Sequence, residues 1–248
     1  MSEQNIRTEI LIGKEAMQRI SAKHVAVFGA GGVGGYVIEA LARSGVGTIE
    51  IIDSDTVDPT NLNRQIISLH STIGTLKTEA FRDRIHDINP DINVIIHSCF
   101  YLPDKKDEFD FDKMDYIVDA IDTVTAKIDL ILEAEKRGIP IISAMGCGNR
   151  LDPSKLKITD LYKTSGDPLA KIMRHELRRR GVRKLCVCCS DEKPIKPQID
   201  ISEQERKAGK ENVRRFTPGS SPFVPPAAGL LIASKVVMDL MKEDSQSK

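Results

Sequence analysis

The chain has 248 residues, 40% of them hydrophobic, with 36 basic side chains against 36 acidic ones and so no net charge. That length fits one large α/β domain or two small ones around a real core. Zero net charge excludes a global field that gathers nucleic acid or membrane lipid, so any such partner must meet a local patch.

The opening MSEQNIRTEI is polar and lacks a signal-peptide core. Residues 23–30 (KHVAVFGA) form a short β-branched run and predict a strand. GAGGVGG follows, and then Val33, Val37, Ile38, Leu41 and Ala42 recur at helical spacing until Gly45 and Gly47. Residues 48–53 (TIEIID) predict the next strand, which completes a β-α-β unit. Phe81, Ile85 and Ile88 mark a helix that stops before Pro90. Strands are predicted over 92–98, 116–122 and 139–143, with a helix carrying Ile128, Ile131 and Leu132 and closed by Gly138. Alternation of this kind implies an α/β fold: a Rossmann-like, mainly parallel sheet with helices on both faces.

The second part reads differently, as a less regular C-terminal extension. Residues 155–160 and 184–190 predict strands, and between them Asp167 caps a helix that Pro168 opens and Gly181 closes. Residues 191–221 are polar with several Pro and Gly and predict a long mobile loop. The apolar stretch 223–241 is interrupted by Lys235 and Asp239 and led by Pro222, Pro225 and Pro226, so it predicts a buried helix and no membrane anchor. The expected organisation is a single domain over 1–248, with a nucleotide-binding core at about 7–150 and a substrate-binding part at about 151–248. The five cysteines, with no secretion signal beside them, point to reduced thiols in the cytoplasm.

Gly29-Ala30-Gly31-Gly32-Val33-Gly34 matches G-x-G-x-x-G between a strand and a helix. Glycines let the backbone turn tightly and approach a phosphate, and the helix N-terminus offers free N–H groups. Asp53 ends the next strand, where a carboxylate can accept from a ribose diol. This pattern predicts a bound nucleotide, and NAD and ATP satisfy it equally.

Three further segments choose between them. Asp53-Ser-Asp55-Thr-Val-Asp-Pro-Thr-Asn61-Leu-Asn63-Arg64-Gln65 is followed by Gly74-Thr-Leu-Lys77, and Asp119-Ala-Ile-Asp122 ends a later strand. Together they resemble the adenylating domain shared by ubiquitin-activating enzymes and the bacterial activators of thiamine and molybdopterin sulfur carriers. The resemblance runs from Arg7 to about Ser143 and implies ATP as the nucleotide. Adenylation joins a carboxylate to the α-phosphate and expels pyrophosphate, and Arg64 and Lys77 suit the charge that develops. Asp122 would hold Mg²⁺, while Asn61 and Gln65 would orient the phosphates or the loop. Asp55 would bind or support the loop. In the resembling families an arginine placed like Arg7 reaches the neighbouring subunit's ATP, which implies a homodimer.

The sulfur-carrier activators usually hold zinc in two separated Cys-x-x-Cys pairs, and Cys99, Cys147, Cys186, Cys188 and Cys189 make no such pattern. Cys186-x-Cys188-Cys189 lies in a predicted strand, where neighbouring side chains point to opposite faces, so no zinc is expected. A thioester role for Cys147 or Cys188 is the lesser expectation. Thr159-Asp160-Leu161-Tyr162-Lys163-Thr164 with Asp167-Pro168-Leu169-Ala170 resembles the bacterial threonylcarbamoyladenosine dehydratases, also called cyclases, as do Ser143-Ala-Met-Gly146 and Leu151-Asp152-Pro153. That resemblance implies a tRNA substrate, with room for a sulfur-relay protein partner. Lys171, Arg174, Arg178, Arg179, Arg180, Arg183 and Lys184, opposed only by Glu176, form a basic helix end suited to phosphate contacts. With 4% aromatic residues, extensive base stacking is not expected.

Overall fold

The computed structural model describes residues 3–199 and 218–242. In chain order the strands are β1 (His24–Phe28), β2 (Thr48–Ile52), β3 (Asn93–His97), β4 (Tyr116–Asp119), β5 (Ile141–Ala144), β6 (Leu156–Asp160) and β7 (Cys186–Ser190). The helices are α1 (Ile6–Ile12), α2 (Lys14–Ser21), α3 (Gly34–Arg43), α4 (Lys77–Ile88), α5 (Val124–Arg137), α6 (Pro168–Arg179) and α7 (Val224–Leu240).

All seven strands join one sheet in the order β3-β2-β1-β4-β5-β7-β6, parallel except where β6 pairs antiparallel with β7. The strands of the C-terminal part therefore continue the sheet of the N-terminal part through the β5–β7 pairing. Side-chain alternation splits the core between two faces. Val25 and Val27 of β1 pack with α2, α3, α4 and α7, while Ala26 and Phe28 pack with α5 and the aromatic group Tyr101, Phe109 and Phe111. The α5–α6 pair buries Ile131, Met173 and Leu177 on that second face. Along β7 Cys188 enters the first core and Cys189 the α5–α6 core, so the two thiols do face opposite sides of the sheet.

Element ends differ from expectation for local reasons. β4 stops at Asp119, three residues early, because the Asp119 carboxylate accepts from the Ile121 amide and turns the chain. β5 starts at Ile141, two residues late, because Pro140 has no N–H to give the ladder. The apolar stretch forms α7, which buries Val224, Ala228, Ile232 and Val236 and packs along α3. At Gly229 a Cβ would stand 2.4 Å from the Val33 carbonyl, so only glycine permits this approach. No described helix is long and apolar enough to cross a membrane. Most of the predicted loop at 191–221 lies outside the described residues.

Candidate active site

Strand order reverses between β1 and β4, and a cleft opens there at the carboxyl ends of the strands, the position where open α/β sheets take ligands. It encloses about 420 Å³. The glycine loop forms one wall. Gly29 adopts φ +93°, and a Cβ on Gly34 would lie 1.8 Å from the Gly29 carbonyl, so the loop closes only without side chains. Gly29, Gly31 and Gly32 line the cleft, whereas Gly34 opens α3 behind it.

Asp53 braces this loop. Its Oδ2 accepts from the Ala30 amide at 2.7 Å and its Oδ1 from the Asp55 amide at 2.9 Å. Burial pushes its carboxyl above the usual range, against the pull of Lys77 and of the two amides. Lys77 is buried at the start of α4. Its Nζ sits 2.7 Å from Asp55 Oδ2 and 3.8 Å from Asp53 Oδ1. It is thus a held charge, not a lysine waving at a helix start.

The 3₁₀ turn Pro59–Asn61 and the residues after it build the facing wall. Asp58 and Asn61 form a capping box on this turn, and the Asn61 carbonyl accepts from the amides of Arg64 and Gln65. Asn61 thereby shapes the loop from which the other two reach the cleft. Arg64 is half-buried, which lowers its guanidinium from its ordinary value. Its Nη1 donates to the Thr60 carbonyl and to Asn63 Oδ1, both at 2.9 Å, and it meets no carboxylate among the described residues. Its Cγ lies 3.4 Å from where a Gly32 Cβ would be, so it rests along the glycine loop. Gln65 is buried, and its Oε1 has no hydrogen-bond partner among the described residues. A partly buried arginine and a buried amide oxygen, neither meeting a neutralising partner among the described residues, suit an anionic, hydrogen-bonding ligand at one glycine loop.

Asp122 lies on the far wall, exposed, on the turn between β4 and the Thr123 N-cap of α5. An exposed carboxylate on the cleft wall has the chemistry Mg²⁺ takes, since that ion keeps most of its waters and needs few protein oxygens. Sequence reasoning missed several lining residues and named Cys147 only as a lesser thioester candidate. Phe100 and Leu102 stand exposed after β3, and Cys147 and Gly148 come from the loop after β5. Ser220 and Pro225 arrive from the far end of the chain, where Ser220 accepts from Asn63 Nδ2 at 3.0 Å. Only their place after strand ends could have hinted at the first four. Burial pushes the Cys147 thiol up to about 12 and raises Cys186 and Cys188 as well, so none rests as a thiolate nucleophile.

Two predicted groups lie elsewhere. Arg7 is exposed on α1, and neighbouring Asn5 packs beside Gly45, ahead of β2. The basic helix end precedes β7, again at the edge where the parallel strands begin. One strand length, about 16 Å, separates that edge from the cleft. Arg174 donates to the Thr164 carbonyl at 3.0 Å and to its hydroxyl, which ties it into the fold. Arg178 covers the Tyr162 ring at 5.2 Å, and Arg180 pairs with Glu176 at 2.6 Å. Arg179 and Arg183 are exposed and make no ion pair among the described residues.

Residues 3–187 match the model of the ThiF family. The tRNA threonylcarbamoyladenosine dehydratase of Bacillus subtilis is 44% identical, over 98% of this chain and 96% of that protein. The crystal structure of the Escherichia coli dehydratase in complex with ATP superposes with a TM-score of 0.86 at 32% identity, covering 96% of this chain and 94% of the other. The adenylyltransferase and sulfurtransferase UBA4 of Vanderwaltozyma polyspora is 38% identical but aligns with only 55% of this chain and 31% of its own length.

Proposed function

This chain belongs to the ThiF family and, within it, to the tRNA threonylcarbamoyladenosine dehydratases, and we propose that its cleft uses ATP to activate the threonine carboxylate of the modified adenosine in tRNA. The carboxylate attacks the α-phosphorus and pyrophosphate departs. The ureido group then closes a ring on the acyl adenylate and AMP leaves, so the nucleoside loses one water overall. The observation that carries this reading is Arg64, which lies half-buried against the glycine loop with no carboxylate partner among the described residues. Such a guanidinium suits the charge that develops on a transferring phosphoryl group, whereas hydride transfer builds no new charge on a nicotinamide cofactor's phosphates.

Within this reading the backbone of Gly29, Gly31 and Gly32 admits the phosphates, with Gly34 closing the loop behind them. Asp53 keeps the loop in place and offers its remaining lone pairs to the ribose. Lys77 exchanges Asp55 for phosphate oxygens when ATP enters, and Asn61 and Gln65 complete the polar wall. Asp122 would hold Mg²⁺, which supplies charge neutralisation at the phosphates when bound. Arg7 lies too far from its own cleft to serve it, which supports a homodimer in which it serves the partner's. Arg178, Arg179, Arg180 and Arg183 would meet tRNA phosphates, and Arg174 fixes their helix. The whole chain acts as one adenylating domain in the cytoplasm, with a sulfur-relay protein as a further partner.

The reading is tested by incubating the protein with ATP, Mg²⁺ and tRNA carrying threonylcarbamoyladenosine, then analysing the nucleosides by mass spectrometry. An ATP-dependent loss of one water, with AMP released, is expected. An unchanged nucleoside, from protein that binds ATP, would transfer the reading to a protein carboxylate such as a sulfur carrier's C-terminus.

A further inference from the structure

Beneath the cleft lies a charged pair that no ligand can touch. Asp119 ends β4 and Lys127 stands in the first turns of α5, and both side chains are fully buried with Lys127 Nζ 2.9 Å from Asp119 Oδ2. The same ammonium donates to the Ile121 carbonyl at 3.0 Å, and Asp119 Oδ1 accepts from the Ile121 amide at 3.2 Å. Both polar groups of one residue are therefore held by one ion pair. Ser143 Oγ on β5 donates to Asp119 Oδ2 at 2.5 Å and fixes the carboxylate from the side. The held residue is the one before Asp122. The residue before it, Ala120, presents its carbonyl against the glycine loop, 2.7 Å from where a Gly29 Cβ would stand.

A buried ion pair gains little over apolar side chains of the same volume, because desolvation cancels most of its attraction. Its use must therefore lie in geometry, and an unpaired member would be costly. We propose that Lys127 and Asp119, with Ser143, are positioning residues for the 119–123 turn: they lock the Ile121 peptide and thereby aim the Asp122 carboxylate into the cleft. Neither touches substrate. This rests on the reading of Asp122 as the Mg²⁺-holding residue.

The test compares wild type, Asp122→Ala and the charge-free double variant Asp119→Asn/Lys127→Met. It uses the full chain and three readouts: ATP affinity without Mg²⁺, the Mg²⁺ concentration for half-maximal turnover, and hydrogen exchange at the Ile121 amide. The double variant is expected to keep ATP affinity within about threefold, since the glycine loop, Arg64 and Lys77 are intact. Its Mg²⁺ requirement should rise about tenfold, its kcat should fall by up to about 10²-fold, the scale of a small misplacement, and Ile121 should lose protection. If Asp122→Ala alters the Mg²⁺ response while the double variant does not, the proposal is overturned and the Asp122 reading stands. If Asp122→Ala responds to Mg²⁺ as wild type does, the Asp122 reading fails and the proposal with it. Should the double variant not fold, Ser143→Ala carries the test, because it leaves the ion pair in place: a rise of about threefold in the Mg²⁺ requirement supports the lock, and none overturns it.

Discussion

At the edge where the parallel strands end, Lys77, Asp53 and Asp119 are largely buried, Arg64 is half-buried, and each is held at hydrogen-bond distance by a named neighbour. At the edge where the strands begin, Arg7, Arg179 and Arg183 stand in solvent. Both edges are rich in charge; the first holds its charges largely buried, whereas the second ties in Arg174, Arg178 and Arg180 but leaves Arg7, Arg179 and Arg183 with no ion pair among the described residues. Charge that must meet a transition state needs fixed geometry in a low-dielectric setting. Charge that must meet an RNA backbone needs only proximity, because phosphates recur along the chain and the contact carries no sequence information.

The largest effect that sharpens this contrast belongs to Arg64. Arg64→Ala should lower kcat/KM by about 10²- to 10³-fold, the scale of losing one preorganised donor, with the melting temperature close to wild type. Steady-state kinetics beside thermal melts checks it, and a loss under about fivefold would break the assignment of fixed charge to that edge.

A held charge away from both edges should show its placement in acid. Burial acts to raise the Glu50 carboxyl, but His24 at 2.8 Å and His97 at 2.7 Å outweigh it and hold it below the usual range. A depressed carboxyl contributes stability that is present above its unfolded value, about 4.3, and is lost as pH falls through the folded value. Glu50→Gln should therefore lose about 1.5–3 kcal/mol near neutrality. The gap should narrow as pH falls below the unfolded value toward the lowered folded one. Denaturant titrations from pH 3 to 7 measure this, and a constant gap across that range would contradict it.

The smallest effect lies at the solvent edge. Arg179→Glu with Arg183→Glu should weaken tRNA binding by about tenfold at low salt and reduce the slope of log K against log salt by about 2, one for each phosphate contact. ATP affinity should not change. Filter binding across a salt series reads both quantities. An unaltered slope would return these arginines to a solvated helix end, and the contrast between the edges would lose its second half.

Features whose physics is local were legible from the residues alone. A glycine loop between strand and helix, an acidic residue at the next strand end, and the Asp167-Pro168 start of α6 each act within a few residues of backbone, so pattern and spacing display them. Asn61, Arg64, Gln65, Lys77 and Asp122 were legible as a set only through the resemblance to the adenylating domain, and the parallel sheet brings the ends of β2 and β4, which they follow, to one edge. Other features depend on residues far apart in the chain, and folding alone brings those together. Strands β6 and β7 continue the same sheet because β7 finds β5 as its neighbour. Gly229 lets α7 lie on α3, which brings Ser220 and Pro225 to the cleft. The basic helix end falls at the opposite edge because the chain must run the length of α6 before β7 can start in parallel. Lys127 reads as one more polar residue of an amphipathic helix. It is buried only because β4, α5 and the turn between them close over it, and no periodicity records a closure of that kind.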